Sequence, residues 1–194
     1  MPKLIDHIER RREFTEAAIS VIGRRGIDNT RLADVARAVG ATTGALTHYF
    51  EGKDALLLAA FDHLAQQILQ ELLSDDGTED LVARAALALP LDEEGVLQWR
   101  VWLCFLSRAV ADPTLADINN RYYDEFREKA ARILKREQAK GRLAPDIDCD
   151  VTAEAVIAVV DGLGVHAAMQ PDIWTAERLQ NQLEAMLRPL LPAP

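Results

Sequence analysis

Thr30-Arg31-Leu32-Ala33-Asp34-Val35-Ala36-Arg37-Ala38-Val39-Gly40-Ala41-Thr42-Thr43-Gly44-Ala45-Leu46-Thr47-His48-Tyr49-Phe50 decides how this chain is read. Leu32, Val35, Ala36 and Val39 stand at helical spacing, Thr30 suits an N-cap, and Gly40 is a natural left-handed stop. A second short helix, Thr43 to about Phe50, follows after only a few residues. At about eight residues it is too short to be stable alone, so packing through Leu46 and Phe50 must hold it. Its other residues are small or hydrogen-bonding, which suits a helix lying against a polar surface rather than in a core. Upstream, Phe14, Ala17, Ala18, Val21 and Ile22 follow the i, i+3, i+4, i+7, i+8 template, and Gly26 ends that helix. A supporting helix followed by two short helices around Gly40-Ala41-Thr42 is a helix-turn-helix unit.

Working outward, Gly52-Lys53 opens a long helix through Leu73 with Leu56, Leu57, Phe61, Leu64, Ile68 and Leu72 as its stripe. Asp75-Asp76-Gly77-Thr78 is a polar break and the expected seam. Beyond it the periodicity predicts helices near 79–89, 93–110, 113–140, 150–169 and 175–189. Asp92-Glu93-Glu94 places negative charge at a helix N-terminus, and Asp112 caps a helix with Pro113 at its first position. The expected fold is all-α, with about nine helices. A three-helix helix-turn-helix domain spans 1–53, a helical bundle spans 54–194, and helix 54–73 connects the two.

The chain has 194 residues, 49% hydrophobic and 27% charged, which excludes disordered and fibrous classes. The longest run without Asp, Glu, Lys or Arg is 38–50, shorter than the ~20 apolar residues of a membrane span, and the N-terminus lacks a signal-peptide core. Two cysteines, Cys104 and Cys149, make no disulfide framework, so a cytoplasmic protein is expected, with a redox role for either thiol left open. The net charge of −9 argues against nucleic acid until it is divided. Residues 1–53 carry 9 Lys+Arg against 7 Asp+Glu, a charge of +2, and residues 54–194 carry 13 against 24, a charge of −11. A mildly basic head sits on a strongly acidic body.

Catalytic and metal constellations fail on inspection. Asp146-x-Asp148-x-Asp150 begins like a calcium loop, but Val151 and Ile157 stand at its sixth and twelfth positions. His7, His48, His63 and His166 have no metal-ligand spacing, and no nucleophile elbow or phosphate-binding glycine loop surrounds the serines. Neither enzyme activity nor a cofactor is expected.

The stretch Gly26 to Gly40, followed by Thr43 to Leu56, resembles the DNA-binding domain of the TetR family of bacterial transcriptional regulators. Gly26, Thr30, Ala36, Gly40, Gly44, Phe50, Lys53 and Leu56 stand at the family spacings. Thr47-His48-Tyr49-Phe50 is similar to the BetI-like branch, as are Trp102-Leu103-Cys104-Phe105 and Asp161-Gly162-Leu163 further on. The resemblance implies a homodimeric repressor of palindromic double-stranded DNA, released by a small-molecule effector. Thr30, Arg31, Lys53, His48 and Tyr49 would then meet the phosphate backbone, and Thr42, Thr43, Gly44, Ala45 and Thr47 the base edges or flanking phosphates. Arg10, Arg11 and Arg12 are either a further phosphate cluster or a solvated face paired with Glu9, Glu13 and Glu16. Glu51 departs from the pattern by placing a carboxylate beside the proposed contacts.

Residues 95–107 carry one charge, Arg100, so that helix is buried on several sides. Trp99, Trp102, Phe105, Tyr122, Tyr123, His166 and Met169 are either core or the lining of an effector cavity, which the resemblance favours. The Ala-, Gly- and Val-rich 151–169 and the stripe of 175–189 resemble the family's dimer helices, with Val156, Val160, Leu163, Leu179, Leu183, Met186 and Leu187 as expected interface. Two alternatives remain at this stage. One is a helical carrier or enzyme with a vestigial helix-turn-helix, and the other is an interaction adaptor using the acidic body.

Overall fold

The computed structural model describes residues 2–73 and 80–193, with side chains described from His7 to Gln70 and from Asp80 onward. The Asp75-Asp76-Gly77-Thr78 seam lies outside the described residues, as does the side chain of Leu72. The described residues form nine α-helices and no strand: α1 Pro2–Arg25, α2 Leu32–Ala38, α3 Thr43–Thr47, α4 Lys53–Leu73, α5 Leu81–Ala86, α6 Glu93–Ala109, α7 Pro113–Ala139, α8 Cys149–Met169 and α9 Ala176–Leu187, then a single 3₁₀ turn.

α1 starts well before its apolar stripe. Ile8, on its first half, is exposed, and Arg12 pairs with Glu16 one turn on at 3.4 Å. α2 starts one residue later than the Thr30 cap implied. Arg31 is the capping position, its N–H donating to Asp34, while the Thr30 hydroxyl turns inward to Gly26 O at 2.8 Å. Other ends follow the sequence chemistry. Asp92 accepts from Gly95 N at 2.7 Å, Asp112 accepts from Thr114 N at 2.8 Å beside Pro113, and Gly26 and Gly40 have φ of 75° and 65°.

One apolar core runs without a break from the head into the body. Phe14, Ile22, Val35, Leu46 and Phe50 join Leu57, Phe61, Val101, Trp102 and Phe105. α1 lies against α6 so closely that Gly23 has no room for a side chain beside the Leu97 backbone. A second cluster gathers Leu163, Ala167, Leu179, Leu183 and Leu187 beneath α5. By length and composition α8 also suits a membrane span, which the charge-free-run criterion passed over. Its apolar residues are divided between the bundle, where it meets α6, α7 and α9, and an outward strip.

A candidate nucleic-acid interface and a ligand cavity

α3 is only five residues long, so its orientation comes from its surroundings. Leu46 and Phe50 are buried beneath it, and the Thr42 hydroxyl caps its start by accepting from Ala45 N at 3.1 Å. At its far end Arg11 donates to Tyr49 O at 3.0 Å and lies 4.6 Å from the Phe50 ring centre. Tyr49 is held between the rings of His7 and Phe14, at 4.5 and 5.4 Å. These anchors leave Thr42, Thr43, Gly44, Thr47 and His48 exposed on one side, with Ala45 and Tyr49 half-buried and Arg31 exposed nearby. Hydroxyls, a backbone without a side chain and an imidazole along one helix match the small, hydrogen-bonding surface that reads groove edges.

Two residues sit differently from expectation. Thr30 is 1% exposed, so its side chain cannot reach a phosphate; its hydroxyl closes the α1–α2 turn instead. Lys53 is half-buried, and its ammonium donates to the carbonyls of Ile27 and Asp28 at 3.3 and 3.1 Å, tying the start of α4 to that turn. Arg108, at the end of α6, reaches the same place and pairs with Asp28 and Asp54. Arg10 and Arg12 pair with Glu13 and Glu16, so of the three arginines only Arg11 engages the recognition helix. Glu51 is exposed.

Above this unit the body encloses a cavity of roughly 160 Å³, walled by α4, α5, α6, α7 and α8. Trp99, Trp102, Tyr123 and Phe126 form its aromatic side, and Leu64, Ile68, Val156 and Val160 its aliphatic side. Trp99 is fixed by donating Nε1–H to Ala88 O at 2.9 Å, and the edge of its indole fills the space where Gly164 lacks a Cβ. Among the described residues the polar groups are few: Gln67, Gln98 and Asp161. Asp161 accepts from the Tyr123 hydroxyl at 2.9 Å. Burial pushes its carboxyl above the usual carboxylate range, with the Tyr123 hydrogen bond opposing. Burial, then the Asp161 charge, pushes the Tyr123 phenol up. Trp102 Nε1–H is buried beside that phenol and opposes the rise, though it makes no hydrogen bond of normal geometry. Such a site is an apolar cup with one acid at its wall, which fits a cation carrying an apolar body.

Four residues expected around an effector lie elsewhere. Phe105 is fully buried, stacked on Phe61 at 3.6 Å, and Tyr122 donates to Asp62 on α4 instead of facing the cavity. His166 is exposed and stacks on Trp174 at 5.0 Å, while Met169 is 73% exposed. The α6 helix is apolar all round, so its sequence could not say which aromatic faces a cavity and which faces the core. Asp161 enters the sequence reading only through the Asp161-Gly162-Leu163 resemblance and not as a cavity residue, although a lone acid amid the apolar residues 155–169 is a signal for it.

The expected dimer residues are also largely internal. Leu179, Leu183 and Leu187 are 0% exposed, and Leu163 and Val160 are buried with them in the chain's own core, so none of these five lies on an outer face. Val156 lines the cavity, and Met186 alone of the seven is exposed. The thiol of Cys149 is buried against Gln138 and pushed up by that burial, away from the reactive thiolate form.

The family of bacterial regulatory proteins of the TetR type matches residues 14–60, and the C-terminal domain of BetI-type transcriptional repressors matches residues 77–192. The transcriptional regulator PksA of Bacillus subtilis is 30% identical over 187 residues, covering 93% of this chain and 89% of its own. The regulator BetI of Klebsiella pneumoniae is 26% identical across the whole of both chains. A regulator from Saccharomonospora viridis, solved in complex with choline, superposes with a TM-score of 0.80 at 26% identity, covering 92% of this chain and 95% of that one. These relatives are regulators, not enzymes. With a helix-turn-helix head and a cavity-bearing body of the BetI type, the chain belongs to the TetR family of ligand-responsive, DNA-binding transcriptional regulators.

Proposed function

We propose that the protein is a cytoplasmic homodimeric repressor that holds a palindromic operator and releases it when a small organic cation enters the cavity. Asp161 carries this reading: among the described residues it is the one carboxylate lining a mostly apolar, aromatic-walled cup. A positive ligand gains both a charge partner in a weakly screened site and the faces of Trp99 and Trp102. The choline bound by the Saccharomonospora relative supports the same class.

α4 links the two ends. Leu64 and Ile68 line the cavity, while Lys53 at its start holds the α1–α2 turn. A ligand that moves α4 therefore moves the head, a shift between a DNA-competent and an incompetent population. We take 1–53 as the DNA-binding domain and the rest as the body, with Thr43, Gly44, Ala45 and Thr47 on base edges and Arg31, His48, Tyr49 and Lys53 on phosphates. The outward strip of α8, Ala158, Gly162 and His166, with Met186 of α9, is the surface proposed to meet the second copy. Gly162 costs its helix about 1 kcal/mol relative to Ala, and nothing among the described residues occupies the space a Cβ would take there. A two-fold dimer places two α3 helices one DNA turn apart, about 34 Å.

The test starts from duplexes selected out of a random pool, followed by anisotropy titration with choline and its neutral isostere 3,3-dimethylbutan-1-ol. Expected are palindromic winners, twice the chain mass by light scattering, and release by choline only. Equal release by the neutral isostere, or a monomeric mass, overturns the proposal.

A further inference from the structure

Tyr122 and Tyr123 are neighbours on α7, yet their hydroxyls are committed to carboxylates on two different helices. Tyr123 donates to Asp161 on α8, within the cavity, at 2.9 Å. Tyr122 donates to Asp62 on α4, whose other oxygen accepts from Gln66 at 3.1 Å. Consecutive helical residues point about 100° apart, so one turn of α7 bridges the ligand site and the helix that carries the head. The Tyr122 ring also meets Phe61 of α4 edge-on at 5.5 Å.

We propose that the two tyrosines are positioning residues of the effector response: Tyr123 occupies the Asp161 carboxylate in the empty protein and yields it to a cation, and Tyr122 passes the resulting movement of α7 to α4 through Asp62. This rests on the cation reading of the cavity. A largely buried carboxylate with no counter-ion among the described residues needs its hydrogen bond, and the Tyr123 phenol is the donor it has. A cation against the same oxygens is a stronger partner in a weakly screened site. The displaced phenol has a partner waiting. Trp102 Nε1–H, buried beside it without a hydrogen bond of normal geometry, is already close enough to ease the phenol's ionisation and can donate fully to the phenol oxygen once the ring turns. Tyr122, by contrast, does not line the cavity. Its bond to Asp62 is therefore a mechanical link and not a ligand contact.

Three variants of the full chain separate the roles, with choline as probe, calorimetry for its binding and anisotropy for DNA. Tyr122→Phe keeps the ring on Phe61 and loses only the link. We expect choline affinity and choline-free DNA affinity within about twofold of the parent, whereas the choline-driven loss of DNA affinity, ordinarily about 5–150-fold for a coupled pair of sites, falls to under about twofold. Asp62→Asn, which retains an acceptor for the phenol, keeps the response, and a merely structural role for the pair would not be rescued in this way. Tyr123→Phe, which removes the internal competitor, binds choline several-fold more tightly. If choline binds the parent but Tyr122→Phe still releases DNA as the parent does, the relay is overturned while the cation reading stands. If calorimetry detects no choline binding to the parent, the cation reading falls and the relay with it.

Discussion

Gly23→Ala tests whether the seam between head and body is set by backbone contact. A Cβ on Gly23 would stand 2.6 Å from the Leu97 carbonyl oxygen, 2.9 Å from its Cβ and 3.0 Å from its Cα. Ordinary carbon contacts lie at about 3.5–4.0 Å, so α1 and α6 must part by roughly 1 Å. The atoms in the way belong to the α6 backbone and the first carbon of a side chain, and no rotamer change removes them. Overpacking of this kind costs about 1–3 kcal/mol, and a contact that only helix movement can relieve belongs in the upper half of that range. Replacing a mid-helix glycine by alanine returns about 1 kcal/mol, which leaves a net loss of about 1–2 kcal/mol. For a chain of 194 residues that lowers the melting temperature by about 2–8 °C. The same separation strains the Arg24–Glu93 pair (3.8 Å) and the Arg108 contacts to Asp28 and Asp54, so choline-free DNA affinity falls as well. Scanning calorimetry with operator anisotropy measures both. A melting temperature raised by 2–4 °C, the bare helix-propensity gain, would refute the reasoning.

Gly164→Ala sets a Cβ 2.2–2.4 Å from the Trp99 ring, which is driven into the cavity; choline binding should be lost by at least tenfold while the far-ultraviolet spectrum is unchanged. Asp161→Asn removes an acid whose pKa burial has raised. The folded state then loses stability as pH rises from the ordinary carboxylate value of 3.8 through the raised one, so the variant melts higher than the parent at pH 7.5 and the gap closes as pH falls below 3.8. A lower melting temperature than the parent at every pH would count against that assignment, and choline binding should fall in the variant at all of them. Lys53→Ala loses two hydrogen bonds to the α1–α2 turn, and weakens binding equally on all duplexes, with a salt slope lower by about 0.9 per half-site if the third ammonium proton faces phosphate. Thr43→Val should instead change which duplexes are selected, read from the same random-pool enrichment.

The recognition unit was legible because its determinants are local: glycines at helix ends, buried Leu46 and Phe50, and small residues between them. The Thr30 side chain was misplaced by one cap position, since a threonine before a helix can either cap it or close the preceding turn, and only the position of Gly26 O decides. In the body the helices were legible but their partners were not. Leu179, Leu183 and Leu187 make a stripe that fits a partner subunit as well as the chain's own α5 and α8, and the stripe alone is the same in both cases. Likewise Phe105 and Trp102 differ in what they face by a rotation that an all-apolar helix does not encode.

The three tryptophans divide unequally. Trp99 and Trp102 stand in the cavity wall, while Trp174 lies outside it against His166 and Arg178. The protein therefore carries its own optical gauge. Filling the cavity alters the surroundings of two indoles and leaves the third as a constant background, so effector binding can be followed by ultraviolet-excited emission without a label, and Trp174→Phe would remove the background without touching the site.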